Sequence, residues 1–522
     1  MNRSLLLPPA LTAILLTALA VRVIGITYDY PFLLQLDEMI AVRATVRMMA
    51  AHSLDPHFYY YGPLLIYIEA LWLLPYLTVR TLLGHPGVPS VTSYDSWTAT
   101  TSDPFLHVYG RVPFVVLGVA AVWLAFLVGR RLGGPWAGVL ASALLALSPV
   151  HAYQSHFVLP NAPTSFFALL TVWWTLRHLQ HPSRELPAGR SGVGRPPARS
   201  WRTWWDRLLR GESPALVLAV VAASLGAAIK YNAVVLLMIP LLAVHLERRV
   251  GHESWLRRCL RLGVVAAAVF IVATPPFVFN TGDFVHQAGY QLKHYARLGG
   301  GGDGPSIIWY GRYLIEREGL LVLPAAVTGL AILTWRKRER KDVLLFTTVV
   351  VYYLLIGVQK AHYDRNLLVI LPLLSVACAY AVVTLARLWQ PIGLAMSVLM
   401  TAVMLVSLGR GSAEQTRAFL ATPAPLVVRC WLQAHLPPHS HLVADGYTVP
   451  PLDRHDVMTT YIADVRLTPQ QLWRMGARFV VLSRSLGYYD GVADHLSSAD
   501  VTMAPLYRDG GVVVYKVTRG SD

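Results

Sequence analysis

Apolar residues run in long blocks along the chain, and short polar stretches rich in arginine separate them. Blocks close to the ~20 residues that cross a bilayer as a helix lie at 5–26, 108–128, 134–150, 158–178, 214–231, 232–246, 262–280, 318–335, 342–358, 366–386 and 391–409. The pattern predicts an all-α polytopic membrane protein with about eleven transmembrane helices. The first block is long, and no small-residue cleavage site follows it closely, so it reads as a retained span rather than a signal peptide.

One further apolar block, Pro63 to Leu83, is decided by charge. If it does not cross, the arginine-rich loops at 129–133, 179–213, 247–261 and 336–341 all face the cytoplasm, as the positive-inside rule requires. If it crosses, all four face outward. The block also holds Glu69, Pro75 and Arg80, costly at mid-bilayer, and Trp72 and Tyr76, which suit the interface. It is therefore expected to be interfacial or re-entrant. The outer segments are then a large first loop at 27–107, shorter ones at 151–157, near Lys230, at 281–317 and at 359–365, and the tail. Segment 181–200, rich in Pro, Gly and Arg, reads as a flexible loop.

Beyond about residue 410 the pattern changes. An amphipathic stretch from Ala413 to Leu436 precedes strand-like runs at His441–Ala444, Arg478–Leu482 and Val512–Val517, with a helix-like Pro469–Met475 among them. The expected organisation is a membrane domain over 1–409 and a small soluble extracytoplasmic α/β domain over 410–522.

Composition agrees with the pattern. Hydrophobic residues make up 55%, charged residues 14%, and the mean hydropathy is +0.46, whereas soluble domains carry about 25% charged residues. The net charge of +16 would suit nucleic acid, but the basic residues sit in short loops between apolar blocks, so no nucleic-acid partner is expected. Cys259, Cys378 and Cys430 have no pair spacing, which argues against a disulfide framework or a CxxC metal site.

The polar residues on the outer side form one set. Asp37 and Glu38 follow the first span and open an amphipathic helix, Glu38–His52, on which Arg43 and Arg47 share a face at i, i+4. Acidic residues at a helix start also suit the macrodipole, which is their plain structural role. The others are Gln154 and His156; Lys230, Tyr231 and Asn232; Asp283, Lys293 and His294; and Lys360, His362, Asp364 and Arg365. Each has a simpler role as well: Lys230 can snorkel, His294 can be a solvated loop residue, and Arg365 can anchor a helix end.

The order of several stretches resembles glycosyltransferase family 39, which holds protein O-mannosyltransferases and the aminoarabinose transferases that modify lipid A. These are LDE at 36–38, FYYYGPLL at 58–65, GRVPFVVLGVAAVWLAFLVGRRLGG at 110–134, LGAAIKYNAVVLL at 225–237, TPPFVFNTGDF from 274 and YDRNLLVILPLL at 363–374. The resemblance implies the GT-C fold and an inverting transfer of sugar from a polyprenyl-phosphate carrier to a hydroxyl acceptor. It implies a multi-pass protein of the plasma membrane with an extracytoplasmic site. Asp37 is then the candidate base and Glu38 orients acceptor or donor. Arg365 and Lys230, and less strongly Arg43, Lys293 and Lys360, are candidates for the donor phosphate. His156, Gln154, His294, Tyr61 and Asn161 are candidates for sugar or acceptor. No cofactor is required by this chemistry; a divalent metal is compatible with it but nothing in the sequence indicates one.

Two positions depart from the family's pattern. Tyr61-Gly62-Pro63 stands where relatives carry Tyr-Pro-Pro, and Asn161 where many carry Asp. A lipid or sugar transporter is the main alternative, but the charges avoid span centres and no internal repeat is visible. A non-catalytic scaffold is the other.

Overall fold

The computed structural model describes residues 7–85, 103, 105–180, 212–247, 254–297, 304–336, 340–388, 390–445, 449–462, 468–483, 497–498 and 500–519. The segment 181–200 and parts of the basic loops lie outside the described residues. The helices are α1 (Leu7–Val23), α2 (Leu36–Ala50), α3 (Leu64–Leu82), α4 (Phe105–Gly133), α5 (Pro135–Leu147), α6 (Pro149–Gln154), α7 (Asn161–Gln180), α8 (Pro214–Ile229), α9 (Met238–Glu247), α10 (Trp255–Ala273), α11 (Pro276–Phe279), α12 (Thr281–Arg297), α13 (Ser306–Glu318), α14 (Val322–Arg336), α15 (Arg340–Gly357), α16 (Leu371–Leu388), α17 (Ile392–Leu420), α18 (Ala424–His435) and α19 (Pro469–Arg474). Two 3-10 helices, Tyr231–Leu237 and Asp364–Val369, interrupt the series.

By compactness the chain divides into two units, Met1–Val23 with Ser53–Glu69 and Val112–Gln415, and Ile24–His52 with Ala70–Arg111 and Thr416–Asp522. It is an α-helical membrane protein with a small C-terminal β-sheet domain.

The expected count of about eleven spans is corrected. Among the described residues four helical stretches are long and apolar enough to cross a membrane, Leu64–Leu82, Phe105–Gly133, Leu371–Leu388 and Ile392–His435, and a fifth results if the bent pair α13–α14 is one span. The reason is that some apolar blocks hide breaks, at Ser148 within 134–150 and at Thr274 within 262–280, and that others form short, bent or charged helices. Lys230, in an extended conformation, ends α8. Gly319, at φ +98°, separates α13 from α14, which meet at 114°. Helices such as α5, of 13 residues, reach only about 20 Å at 1.5 Å per residue, short of the ~30 Å hydrocarbon core. Others are long but open on charge, α10 with Arg257, Arg258 and Arg261, and α15 with Arg340, Lys341 and Asp342.

The block at 63–83 forms one continuous 19-residue helix, α3, which meets the criteria of length and composition for a span. Pro75 removes one backbone bond without breaking the helix, and the costly Glu69 is fully buried in protein.

Local signals set the starts. Ser148 and Ser213 each cap a helix that has proline in its first turn, accepting from the N–H of His151 and Leu216. The membrane core is a contiguous apolar cluster built from α4, α5, α7, α14 and α16 among others. Gly329 of α14 lies so close to the Ala377 carbonyl of α16 that a Cβ would sit 1.9 Å from that oxygen.

The sheet has the order β2-β1-β3-β6-β5-β4, with β1 (His441–Asp445), β2 (Met458–Ile462), β3 (Phe479–Ser483), β4 (Ser497–Ser498), β5 (Val501–Asp509) and β6 (Val512–Arg519). β1 pairs in parallel with β2 and β3, and the remaining pairs are antiparallel. The period of two sends Val443, Val480, Leu482, Val513 and Tyr515 to one core. Leu442, Ala444, Phe479, Val481 and Val514 go to the other, against Val428 and Leu432 of α18.

Candidate active site

In the unit that holds α2, the acidic pair splits into two environments. Glu38 is fully buried and Asp37 is half-exposed. Arg111 of α4 grips Glu38 through both carboxylate oxygens, Nε to Oε1 at 2.8 Å and Nη2 to Oε2 at 2.6 Å. The same guanidinium donates to both oxygens of Asp29, at 2.9 and 3.0 Å, and to the Ile26 carbonyl at 2.6 Å. All three side chains are fully buried. Asp29 also accepts the Leu34 N–H at 3.0 Å. The planar fork of arginine suits this double bidentate grip, and the cluster pins the start of α2. Gln35 caps that start by accepting the Asp37 N–H at 3.1 Å. Arg43 and Arg47, half-buried, follow on α2.

In the other unit, both 3-10 helices start at polar residues, and these meet. Lys230, 7% exposed, donates from Nζ to Asn161 Oδ1 at 3.0 Å, to the Arg365 carbonyl at 3.3 Å and to Asn366 Oδ1 at 3.5 Å. Asn161 donates to Gln154 Oε1 at 2.7 Å, and Gln154 to Asp364 Oδ2 at 3.3 Å. Asn366 donates to the Tyr310 hydroxyl at 3.0 Å, and its carbonyl accepts from Tyr352 at 3.0 Å. Irregular backbone and buried polar groups persist in a membrane protein when satisfied within the protein or lining a cavity. Such a cavity, of about 200 Å³, is walled by Tyr60, Tyr61, Tyr231 and Tyr295, with Lys230, Asn232, Gln291 and Gln359 as its polar groups. Tyr231 also lines an apolar groove of about 470 Å³ between α8 and α10, floored by small residues such as Ala227, Gly263, Ala266 and Ala267.

The Arg365 guanidinium stacks on Tyr363 at 4.5 Å. His294 lies parallel to the same ring, its Nε2 3.1 Å from the Tyr363 hydroxyl. Burial and the Arg365 charge hold the His294 imidazole below its usual value.

Gly62 explains one departure from the family's pattern. Its N–H donates to the Ile229 carbonyl at 3.0 Å, a bond proline cannot make. A Cβ there would lie 1.9 Å from the Ala228 oxygen. Gly62→Ala is expected to destabilise by about 1–3 kcal/mol through overpacking; the unfolding midpoint in detergent checks this.

Gln154, Asn161, Lys230 and the Arg365 backbone thus come together, with Tyr61 on the same cavity as Lys230. His156, just past the end of α6, is buried and bonds the Ala152 carbonyl of that helix at 2.9 Å. Lys293, Lys360 and Asp283 are exposed, and buried His362 packs on Trp309. Sequence reading passed over Arg111, Asp29, Asn366, Tyr310 and Tyr352. Arg111 had a usable signal, a lone arginine at the mouth of an apolar block.

A family model described as dolichyl-phosphate-mannose-protein mannosyltransferase matches residues 105–189. No curated protein matches the sequence. Among solved structures, the chain is similar to ArnT from Cupriavidus metallidurans bound to undecaprenyl phosphate, at 14% identity and TM-score 0.53, covering 98% of this chain and 97% of that one. It is also similar to the archaeal oligosaccharyltransferase AglB from Archaeoglobus fulgidus in complex with an inhibitory peptide and a dolichol-phosphate, at 11% identity and TM-score 0.55, covering 91% of this chain and 69% of that one. A structure of the Archaeoglobus fulgidus oligosaccharyltransferase in complex with Zn and sulfate gives 12% identity and TM-score 0.57, over 93% of this chain and 69% of that one. At these identities the likeness is one of fold, and the chain shares the GT-C fold of these transferases.

Proposed function

We propose that the protein is an inverting glycosyltransferase that moves a sugar from a polyprenyl-phosphate carrier to a hydroxyl acceptor on the extracytoplasmic side of the membrane. The observation that carries the reading is Lys230: a buried ammonium on an aromatic-walled cavity, one wall of which, Tyr231, also lines an apolar groove. A polyprenyl-phosphate sugar has the matching three parts: an anion, a polar ring that stacks on aromatic faces, and a long apolar tail. The shared fold with structures holding undecaprenyl phosphate and dolichol-phosphate supports the same ligand class. The extracytoplasmic side is supported by the basic loops, which the positive-inside rule assigns to the cytoplasm when 63–83 does not cross.

In the proposed reaction the acceptor O–H gives its proton to the Asp37 carboxylate as the oxygen bonds to the anomeric carbon. The bond from that carbon to the phosphate oxygen breaks, and its electron pair leaves with the polyprenyl phosphate. One displacement inverts the centre. The leaving group departs as an anion, so no second carboxylic acid protonates it, unlike a glycosidase pair. Positive charge near that anion lowers the barrier, and Lys230 is the chief candidate, with Arg365, Arg43, Lys293 and Lys360 behind it. Glu38, held by Arg111 and fully buried, serves by fixing the start of α2 rather than by touching the sugar. Tyr61, Gln154, Asn161, His156 and His294 are left for sugar or acceptor contacts. The scheme itself requires no metal, because the leaving phosphate departs as an anion, and a divalent ion is compatible with it.

Undecaprenyl phosphate without sugar provides a direct test. Wild type is expected to bind it in a thermal-shift assay and Lys230→Met to bind at least about tenfold more weakly, the loss of one charge-assisted contact. Equal binding by both removes Lys230 from the phosphate site, and no binding by either removes the reading's main support.

A further inference from the structure

The loop between α2 and α3 carries a carboxylate that the reaction above does not use. Asp55 Oδ1 accepts the His57 N–H at 2.9 Å and also the Tyr59 hydroxyl. Asp55 Oδ2 accepts the Asn280 amide at 3.0 Å, and the same amide nitrogen lies 3.1 Å from the Tyr59 hydroxyl. Tyr59 is fully buried and packs on Phe284 at 5.4 Å. Its backbone is tied at both ends: the N–H donates to Gln287 Oε1 at 2.7 Å, and the carbonyl accepts from the Tyr231 hydroxyl at 2.9 Å. That hydroxyl also reaches the Tyr61 carbonyl at 3.1 Å. His57 has φ 48°, a left-handed value that a non-glycine residue keeps only when its surroundings hold it there.

We infer that Asp55 is a positioning residue for the transfer: with Asn280 it fixes Tyr59, and through Tyr59 the Tyr60–Tyr61 segment that walls the cavity at Lys230. The inference rests on the glycosyltransferase reading above. Three observations favour positioning over generic stability. The bonds converge on a single residue, Tyr59, from its side chain, N–H and carbonyl. The next two residues both line the cavity. Tyr231, which closes the network, lines the cavity as well. Burial works against ionisation of Asp55, but the Tyr59 hydroxyl, the His57 N–H and the Asn280 amide hold its carboxyl below the usual carboxylate range, so it is an anionic anchor at neutral pH.

The test exchanges the two partners. With a polyprenyl-phosphate sugar that wild type consumes, Asp55→Asn and Asn280→Asp are each expected to raise the donor KM about tenfold or more, the loss of a hydrogen bond to a charged group, with kcat changed less than about threefold. The double variant restores one carboxylate facing one amide on the Tyr59 hydroxyl, and its KM is expected to return to within about threefold of wild type. Tyr59→Phe is expected to raise KM as the single exchanges do. Should either single variant fail to fold, the double exchange and Tyr59→Phe still decide the matter. Wild-type KM in folded single variants or in Tyr59→Phe overturns the inference, and so does a raised KM that the double exchange leaves unrestored. If wild type consumes and binds no donor, the glycosyltransferase reading falls first and takes the inference with it.

Discussion

Asp37→Asn is expected to lower donor turnover by about 10²–10⁴-fold, the usual contribution of a general base, while donor binding stays within a few fold of wild type. Asparagine keeps the size of the side chain and cannot take the acceptor's proton. The two acidic residues sit in different surroundings. Glu38 is buried with its charge matched by Arg111, whereas Asp37 is half-exposed at the capped start of α2. Single-turnover kinetics alongside a binding measurement would read the two effects apart. Wild-type turnover in Asp37→Asn would remove it as base, and a lost turnover with equally lost binding would give it a binding role instead.

Arg111→Leu is the second large effect. It strands Asp29 and Glu38, both fully buried, without the guanidinium that faces them. Breaking such a pair costs about 3–5 kcal/mol, a large share of the 5–15 kcal/mol by which a typical native protein is stable. The expected result is a clearly lower unfolding midpoint and a poor yield of folded protein. Replacing the whole cluster with apolar residues, as in Asp29→Leu with Glu38→Met and Arg111→Met, is expected to recover most of the stability because no charge is left stranded. Turnover is expected to stay low in that triple variant, since the start of α2 then lacks its double bidentate grip. An unchanged midpoint in Arg111→Leu would show that the cluster does not hold this unit together.

Much of this was legible in the chain, and the gaps have physical causes. The order of apolar blocks and the polar break at Lys230 were visible, because a lysine between apolar segments stands out against hydropathy. The number of long spans was not, because a hydropathy window cannot see that α5 stops at Ser148 or that α10 stops at Thr274. The partner of Glu38 was out of reach, since Arg111 lies 73 residues away in sequence. The same holds for Asp55 and Asn280, 225 residues apart. Gly62 looked like a departure from a family pattern, and its close approach to Ala228 gives it a local reason. In the C-terminal sheet, β1, β3 and β6 were readable from their runs of Val and Leu. β5 was not, because it carries Pro505 and a register shift between Pro505 and Tyr507 that breaks the alternation.

The most direct test of the central claim is donor consumption by purified wild-type protein in detergent, over a panel of radiolabelled polyprenyl-phosphate sugars. The account predicts that at least one donor is consumed, by transfer or slow hydrolysis, with free polyprenyl phosphate as a product. Full recovery of every intact donor, with none bound, would contradict it and leave transport as the function to test.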